Sequence, residues 1–434
     1  MGGFICAEME GGRVSRLYDS FLQSNGVSID TRSISEGDMF FCMKGENFNG
    51  NTFAAEALKK GASFVVVDEA EYKVNERCIL VENTLSALQV LANFHRNKFA
   101  IPVIGITGTN GKTTTKELVH AVLSEKYSVI ATHGNLNNHI GVPLTLLSIK
   151  SDTDIAIVEM GANHVGEIRE LCVIADPNYG IITNIGKAHL EGFGSVENII
   201  QTKSALYEYV NLSNGLLFVN ADDDLLMDLS KKYKRLTYGK KGVCKGILDE
   251  NNLQMTFQIP HYPRTIRTQL TGSYNFYNAL AAAAVGECFK VPIDKIAHAL
   301  SSYTPANNRS QIIKKGKRTL ISDAYNANPS SMKLAIENIA GMNVENKVLL
   351  LGDMAELGEA SAAEHQSIVD LICTFSFNSV YLFGDEFAKT NADISWIYTD
   401  YEQLKTALKN TLPDNATILI KGSRSVKMER FLEI

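Results

Sequence analysis

The stretch Gly105-Ile106-Thr107-Gly108-Thr109-Asn110-Gly111-Lys112-Thr113-Thr114 constrains this chain more than any other. The apolar run Ile101–Ile106 leads into it, and a helical pattern over Thr114–Ser124 leads out. A strand, a glycine-rich turn and a helix N-terminus in succession make an anion site. Backbone N–H groups point inward, the helix dipole favours negative charge, and Lys112 adds a point charge. Gly108 and Gly111 permit backbone conformations and close approaches that a side chain would block. One position is irregular: the strict phosphate-loop pattern has glycine where this chain has Ile106. The core Gly-x-x-Gly-Lys-Thr is kept. The bland alternative is a glycine turn with a solvated lysine, and the strand and helix context speaks against it.

At 434 residues the chain has room for about three domains. A net charge of −6 argues against a nucleic-acid binder, which usually shows a basic face. An anionic substrate must then be held by local Lys, Arg and metal against the global charge. The seven cysteines (Cys6, Cys42, Cys78, Cys172, Cys244, Cys288, Cys373) are scattered and form no C-x-x-C. They read as reduced, mostly core thiols of a cytoplasmic protein. No apolar run approaches the ~20 residues that span a bilayer. Met1–Arg13 is too glycine-rich and acidic for a signal peptide and is read as an extension outside the fold.

The patterning predicts an α/β protein. Its first third reads as a small α/β unit with strands at Gly26–Ile29, Asp38–Cys42, Ser63–Val67 and Cys78–Val81. Helices are expected at Val14–Leu22 and Phe53–Lys60, and a long one from Asn83-Thr84 to Phe99. The middle alternates strands (Val103–Ile106, Ile155–Val158, Tyr179–Asn184, Leu216–Val219) with helices (Thr114–Ser124, Val165–Ile174, Val196–Tyr209), which argues for a mostly parallel sheet. A hairpin over Cys244–Ile259, a strand at Thr265–Leu270 and an alanine-rich helix at Phe276–Glu287 follow. From about Gln311 a second open α/β sheet is expected, Rossmann-like in outline but without G-x-G-x-x-G. Its βα alternation runs from Thr319–Ala324 to a last element at Val426–Leu432. Asp323, Gly352-Asp353 and Gly422-Ser423-Arg424 fall at strand C-termini, where such sheets bind ligands.

Several side chains carry a functional and a structural reading side by side. Glu159 ends an apolar strand beside the loop, where a nucleotide enzyme holds Mg²⁺, and Gly161-Ala162 after it keep the approach open; the alternative is a helix-capping or solvated Glu. His189 follows a strand and reads either as a loop hydrogen-bonder or as a metal ligand. On spacing alone Lys203 is a helix-surface lysine. Arg309, at the second domain junction, could reach a γ-phosphate or stay solvated. Asn328-Pro329 reads as a helix start. With Asp323 and Asn326, Asn328 would also cluster at a strand mouth, fit for a ribose or an amide. Asp30-Thr31-Arg32 is a capped turn or a ligand contact.

Seven segments together resemble the Mur ligase family. They are Gly108–Thr114, Glu159–His164 (EMGANH), Ala188–Gly194 (AHLEGFG), Asn275–Ala279 (NFYNA), Asp323–Pro329 (DAYNANP), Gly352–Gly358 (GDMAELG) and Lys421–Ser425 (KGSRS). The DAYNANP and GDMAELG segments are most similar to the branch that joins D-Ala-D-Ala to UDP-MurNAc-tripeptide, a peptidoglycan precursor. The resemblance implies three domains: a UDP-substrate domain (1–100), a central parallel-sheet ATPase domain (101–310) and a C-terminal amino-substrate domain (311–434). It implies ATP, two Mg²⁺ and an acyl-phosphate route. Carried over by position, Gly108, Thr109, Asn110, Gly111, Lys112, Thr113 and Thr114 cradle the phosphates, and Thr113 approaches Mg²⁺. Glu159 and His189 match metal-binding positions, and Lys203 matches the family's carbamylated lysine. An unperturbed lysine is only about 0.04% neutral amine at pH 7, so a carbamate there needs a lowered pKa or trapping by metal. Asn275 and Asn278 match adenine-side residues, Arg309 the γ-phosphate arginine and Asp323 a ribose-binding acid. Asp30, Thr31 and Arg32 match the uridine segment. Asn135, Asn137 and Asn138 resemble the segment facing the UDP-sugar. Asn326 and Asn328 lie in the amino-substrate segment.

The chain departs from the family at Thr31 (usually Ser), Asn51 (in place of the usual Asp-Gly-His pattern), Tyr274 (often His) and Ala205 (usually Glu). Expected partners are small molecules, with no nucleic acid or membrane and a monomeric state. The competing readings are a ligase adding a single amino acid, a folylpolyglutamate synthase-like ligase, and a nucleotide-dependent switch without transferase chemistry. A switch would keep Lys112 but has no need of Glu159, His189 and Lys203 together.

Overall fold

The computed structural model describes residues 11–250 and 252–433. Three sheets organise it. The first runs Val27–Ser28, Met39–Phe41, Phe64–Val67, Cys78–Leu80, all parallel. The second has seven parallel strands in the order Cys244–Lys245, Arg235–Gly239, Leu216–Asn220, Tyr179–Ile182, Val103–Thr107, Ile155–Glu159, Val129–Ala131. In the third, Gln311–Lys315 pairs antiparallel with Arg318–Asp323. Beyond it Thr417–Lys421, Lys347–Gly352, Ser379–Phe383 and Ile397–Tyr398 continue in parallel. The inner strands are unbroken apolar runs because helices cover both faces; every residue of Val103–Thr107 and of Ile155–Glu159 is buried.

From Val103–Thr107 the chain goes to one side of the sheet, for Val129–Ala131 and Ile155–Glu159. It then crosses to Tyr179–Ile182 on the other. Strand order therefore reverses beside the glycine-rich loop, and open α/β sheets bind ligands at such a point. On one face of this sheet the apolar core is continuous with the N-terminal unit: Leu17, Met39, Leu88 and Leu91 share a cluster with Val142, Leu146, Ile168 and Leu171. On the other face the alanine-rich helix Tyr274–Cys288 packs against Lys112–Ser124. The C-terminal sheet has its own cores on its two faces.

Several elements differ from expectation. Helix Ile293–Ser302 was not expected, although Ile293, Ile296, Ala297 and Leu300 recur at helical spacing after Pro292. Helices Gly141–Leu147 and Asp224–Leu229 and strands Val129–Ala131, Arg235–Gly239 and Gln311–Lys315 carry no clear signal in the sequence; they are short or only half-buried, and tertiary packing sustains them. Cys244–Lys245 joins the central sheet, and only Ile247–Asp249 pairs with Thr256–Gln258 as a hairpin. Thr265–Leu270 contributes just Ile266–Arg267 to a strand. The last element is a 3₁₀ stretch, Met428–Glu433, pinned by buried Met428 and Phe431. Gly11–Arg13, expected to lie outside the fold, begins the helix Gly11–Leu22. Residues 1–10, with Cys6, lie outside the described residues. The other six cysteines are free thiols, four of them buried. Among the described residues no helix is long and apolar enough to cross a membrane.

Candidate active site

A cavity of about 740 Å³ opens where the glycine-rich loop, the Glu159 strand end and the C-terminal unit meet. Gly108 (φ 147°) and Gly111 (φ 80°) shape the loop. A Cβ at Gly108 would sit 1.9 Å from Thr183 Oγ1, and one at Gly111 2.7 Å from Asn278 Oδ1. Asn110 is clamped from outside the loop. Its N–H donates to Asn184 Oδ1 (3.0 Å), and its carbonyl accepts from Thr183 Oγ1 (2.6 Å) and Asn184 Nδ2 (3.0 Å). Thr109 exchanges hydrogen bonds with the Gly186 backbone. Lys112 folds back, its Nζ donating to the Gly108 (2.9 Å) and Thr109 (3.1 Å) carbonyls. Burial lowers its pKa, with Glu159 opposing and Arg309 reinforcing. The helix Lys112–Ser124 starts here, with Thr113 and Thr114 buried in its first turn.

Glu159 is 1% exposed. Its Oε1 accepts from Thr113 Oγ1 (3.1 Å) and Asn137 Nδ2 (2.8 Å), while Oε2 is buried with no hydrogen-bond partner. A buried, unpaired carboxylate oxygen beside a threonine hydroxyl is an oxygen donor set that fits Mg²⁺. His189 sits elsewhere on the wall. Its Nδ1 lies 2.6 Å from Glu356 Oε2 of the C-terminal unit, without the in-line geometry of a hydrogen bond. Among the described residues no three His, Cys, Asp or Glu side chains form a ready-made ligand group. Lys203 is 3% exposed and is not a cavity-lining residue; its Nζ lies 5.8 Å from the Phe193 ring centroid. Burial, with help from Lys112, brings its pKa down to about 7.

Asn275 and Asn278 are buried: Asn275 Nδ2 donates to the Thr271 carbonyl (2.7 Å) and Asn278 Nδ2 to Asn275 Oδ1 (2.9 Å). The C-terminal unit supplies the rest of the wall. Asp323 Oδ2 accepts from buried Lys421 Nζ (2.6 Å), and its Oδ1 from the Ser310 N–H (3.2 Å). Asn328 caps the helix Pro329–Gly341 in a capping box, as its sequence suggests. Its Nδ2 also donates to Asn110 Oδ1 (2.8 Å), tying this unit to the loop. Asn326 lines the cavity with its Oδ1 turned to the Ala327 N–H. Asn135 and Asn138 line it too, and Asn138 Oδ1 accepts from the Gly141 N–H.

The structure does not bring Asp30, Thr31 and Arg32 to this cavity. Arg32 pairs with Asp30 at the surface (2.6 Å) and holds its carboxyl down to about 2. Of the departures, Asn51 is buried and braces Asp68 (2.7 Å). The Tyr274 hydroxyl meets Ser310 Oγ (3.1 Å). Arg424, expected at a ligand-binding strand end, does line the cavity, whereas sequence reasoning passed over Asn184, Tyr325, Glu356 and Lys421 as site residues. The last three lie inside the resembling segments, which was the available signal; Asn184 had none beyond its place at a strand end.

Comparison with known proteins settles the family. Residues 23–96 match the profile described as "Mur ligase family, catalytic domain", 106–286 the "Mur ligase middle domain" and 308–424 the "Mur ligase, glutamate ligase domain". The UDP-N-acetylmuramoyl-tripeptide--D-alanyl-D-alanine ligase of Treponema pallidum is 36% identical, covering 98% of this chain and 96% of its own. The chain belongs to the Mur ligase family. Among solved structures of the family, MurF from Acinetobacter baumannii superposes with a TM-score of 0.85 at 29% identity over 97% of each chain. MurF ligase from Thermotoga maritima, in complex with ADP, gives 0.84 at 29% identity over 95% of this chain and 97% of that one. The three-domain α/β architecture expected from the sequence is thus that of a Mur ligase, and the chain is an ATP-dependent ligase.

Proposed function

We propose that the chain uses ATP to join D-alanyl-D-alanine to UDP-N-acetylmuramoyl-tripeptide through an acyl phosphate. Full-length similarity to ligases of that name supports the substrates. The observation that carries the chemistry is that one cavity is lined by the phosphate-type loop, Glu159 and the C-terminal strand mouths. A donor carboxylate and an acceptor amine can meet at one phosphoryl group only in such a place.

A carboxylate oxygen of the tripeptide attacks the γ-phosphorus and ADP leaves. The amine attacks the acyl carbon, loses a proton, and phosphate departs from the tetrahedral intermediate. The backbone from Gly108 to Thr114 and Lys112 cradle the phosphates, and Arg309 takes up charge on the transferred group. Thr113 and Glu159 would hold Mg²⁺, with His189 and Lys203 as further candidates for a two-ion site; when bound, the ions neutralise phosphate charge. Burial, with help from Lys112, brings the Lys203 pKa down to about 7, which favours the neutral amine that adds CO₂ far more than in an exposed lysine. That supports a carbamate there. Asn275, Asn278 and Asp323 face the nucleoside; Asn135, Asn137, Asn138, Asn326 and Asn328 face the other substrates. The three domains divide near residues 100 and 310. The enzyme works in the cytoplasm as a monomer, on small molecules.

A coupled phosphate-release assay tests this. Release should need ATP, Mg²⁺, UDP-MurNAc-tripeptide and D-Ala-D-Ala together, and should fall in bicarbonate-free buffer. Release with single amino acids in place of the dipeptide would overturn the substrate assignment.

A further inference from the structure

Three segments converge on one ring at the C-terminal side of the cavity. Arg309 lies in the connection into the C-terminal unit, Tyr325 follows the strand Arg318–Asp323, and Arg424 follows Thr417–Lys421. Arg309 Cζ is 3.7 Å from the Tyr325 ring centroid and Arg424 Cζ is 5.0 Å from it. All three side chains line the cavity.

The arrangement is built on the Arg309 side. Asn308 and Ser310 both adopt left-handed backbone conformations (φ 54° and 52°), which non-glycine residues seldom take. The Tyr325 N–H donates to the Asn308 carbonyl (3.2 Å), which ties the ring to the chain beside Arg309. Arg309 Nε is buried and has no hydrogen-bond partner. Among the described residues neither guanidinium has a carboxylate within ion-pair distance. Two uncompensated cations in one cavity repel, and an aromatic face offsets part of that while fixing the guanidinium planes. A group rich in oxygen and negative charge would satisfy both donors.

We propose that Tyr325 is a positioning residue that holds Arg309 and Arg424 as one clamp on the terminal phosphoryl group of the bound nucleotide, with Arg424 as a second anion donor. This rests on the reading of the cavity as an ATP site. Because the ring face does the holding, phenylalanine should serve and an aliphatic residue should not.

Calorimetric titration with ADP and with the non-hydrolysable analogue AMP-PNP separates the terminal phosphoryl group from the rest of the nucleotide. Tyr325→Leu should weaken AMP-PNP roughly tenfold and ADP less than about twofold. Tyr325→Phe should recover AMP-PNP to within about threefold of wild type, and Arg424→Met should weaken it at least about threefold. Loss of both nucleotides equally in Tyr325→Leu, a Tyr325→Phe as weak as Tyr325→Leu, or unchanged AMP-PNP binding in Arg424→Met would overturn the clamp. A wild-type chain that binds AMP-PNP but forms no amide would overturn the proposed function instead, since the clamp is read from the ratio of the two nucleotide affinities.

Discussion

The central unit meets its two neighbours in opposite ways. Toward the N-terminus the junction is buried. The helix Thr84–Arg96 sends Asn93 Nδ2 to the Val173 (3.0 Å) and Ile174 (3.1 Å) carbonyls and Arg96 to those of Ala175 (3.3 Å) and Asp176 (3.1 Å). These side chains satisfy carbonyls at the end of the helix Glu167–Ala175, and a continuous apolar core surrounds them. Toward the C-terminus the contacts are polar and lie nearer the surface: Lys187–Glu364 (2.8 Å), His189–Glu356 (2.6 Å) and Asn110–Asn328 (2.8 Å). A junction sealed by apolar burial and satisfied carbonyls moves as one body. One bridged by a few polar pairs opens at small cost, with water as the alternative partner. The candidate active-site cavity lies at the second junction, and the proposed substrates would enter and leave there.

The largest effect should come from the loop side of the open junction. Lys112→Ala should lower phosphate release by roughly 10²–10³; near-wild-type release would remove the loop from the chemistry. Next is the sealed junction. Arg96→Met strands buried carbonyls and should cost about 2–3 kcal/mol in urea unfolding. A shift under about 0.5 kcal/mol would show that junction to be no tighter than the other. Glu356→Gln frees His189 from its cross-domain carboxylate and should weaken Mn²⁺ binding roughly tenfold, measured by spin-resonance titration; unchanged binding would mean that the contact serves closure alone. The smallest effect is at the exposed pair. Lys187→Met should change stability by less than about 0.5 kcal/mol, and a loss of several kcal/mol would erase the distinction between the junctions.

Much of the site was legible because its signals are local. Gly108 and Gly111 are required by backbone conformation, and Asn328-Pro329 announces a helix start that the capping box bears out. Glu159 was legible from its place at the end of an apolar strand. Other features were not, because they depend on partners far along the chain. Arg309 and Arg424 share a ring supplied by a third segment. Lys203 looked like a surface lysine, since one polar residue on a helix does not reveal which face packs inward against the rest of its own unit. Asp30-Thr31-Arg32 went the other way: its residues are there, but the fold keeps them out of the main cavity.

The sequence by itself determined the alternating strands and helices, the phosphate-type loop and the family, because each is written in short-range pattern and residue type. Tertiary structure alone decided that Lys203 is buried with a pKa near 7, that Glu159 keeps one oxygen unpaired, and that one domain junction is sealed while the other is bridged. Burial and pairing are properties of what surrounds a side chain, and those surroundings come from segments brought together only when the chain folds.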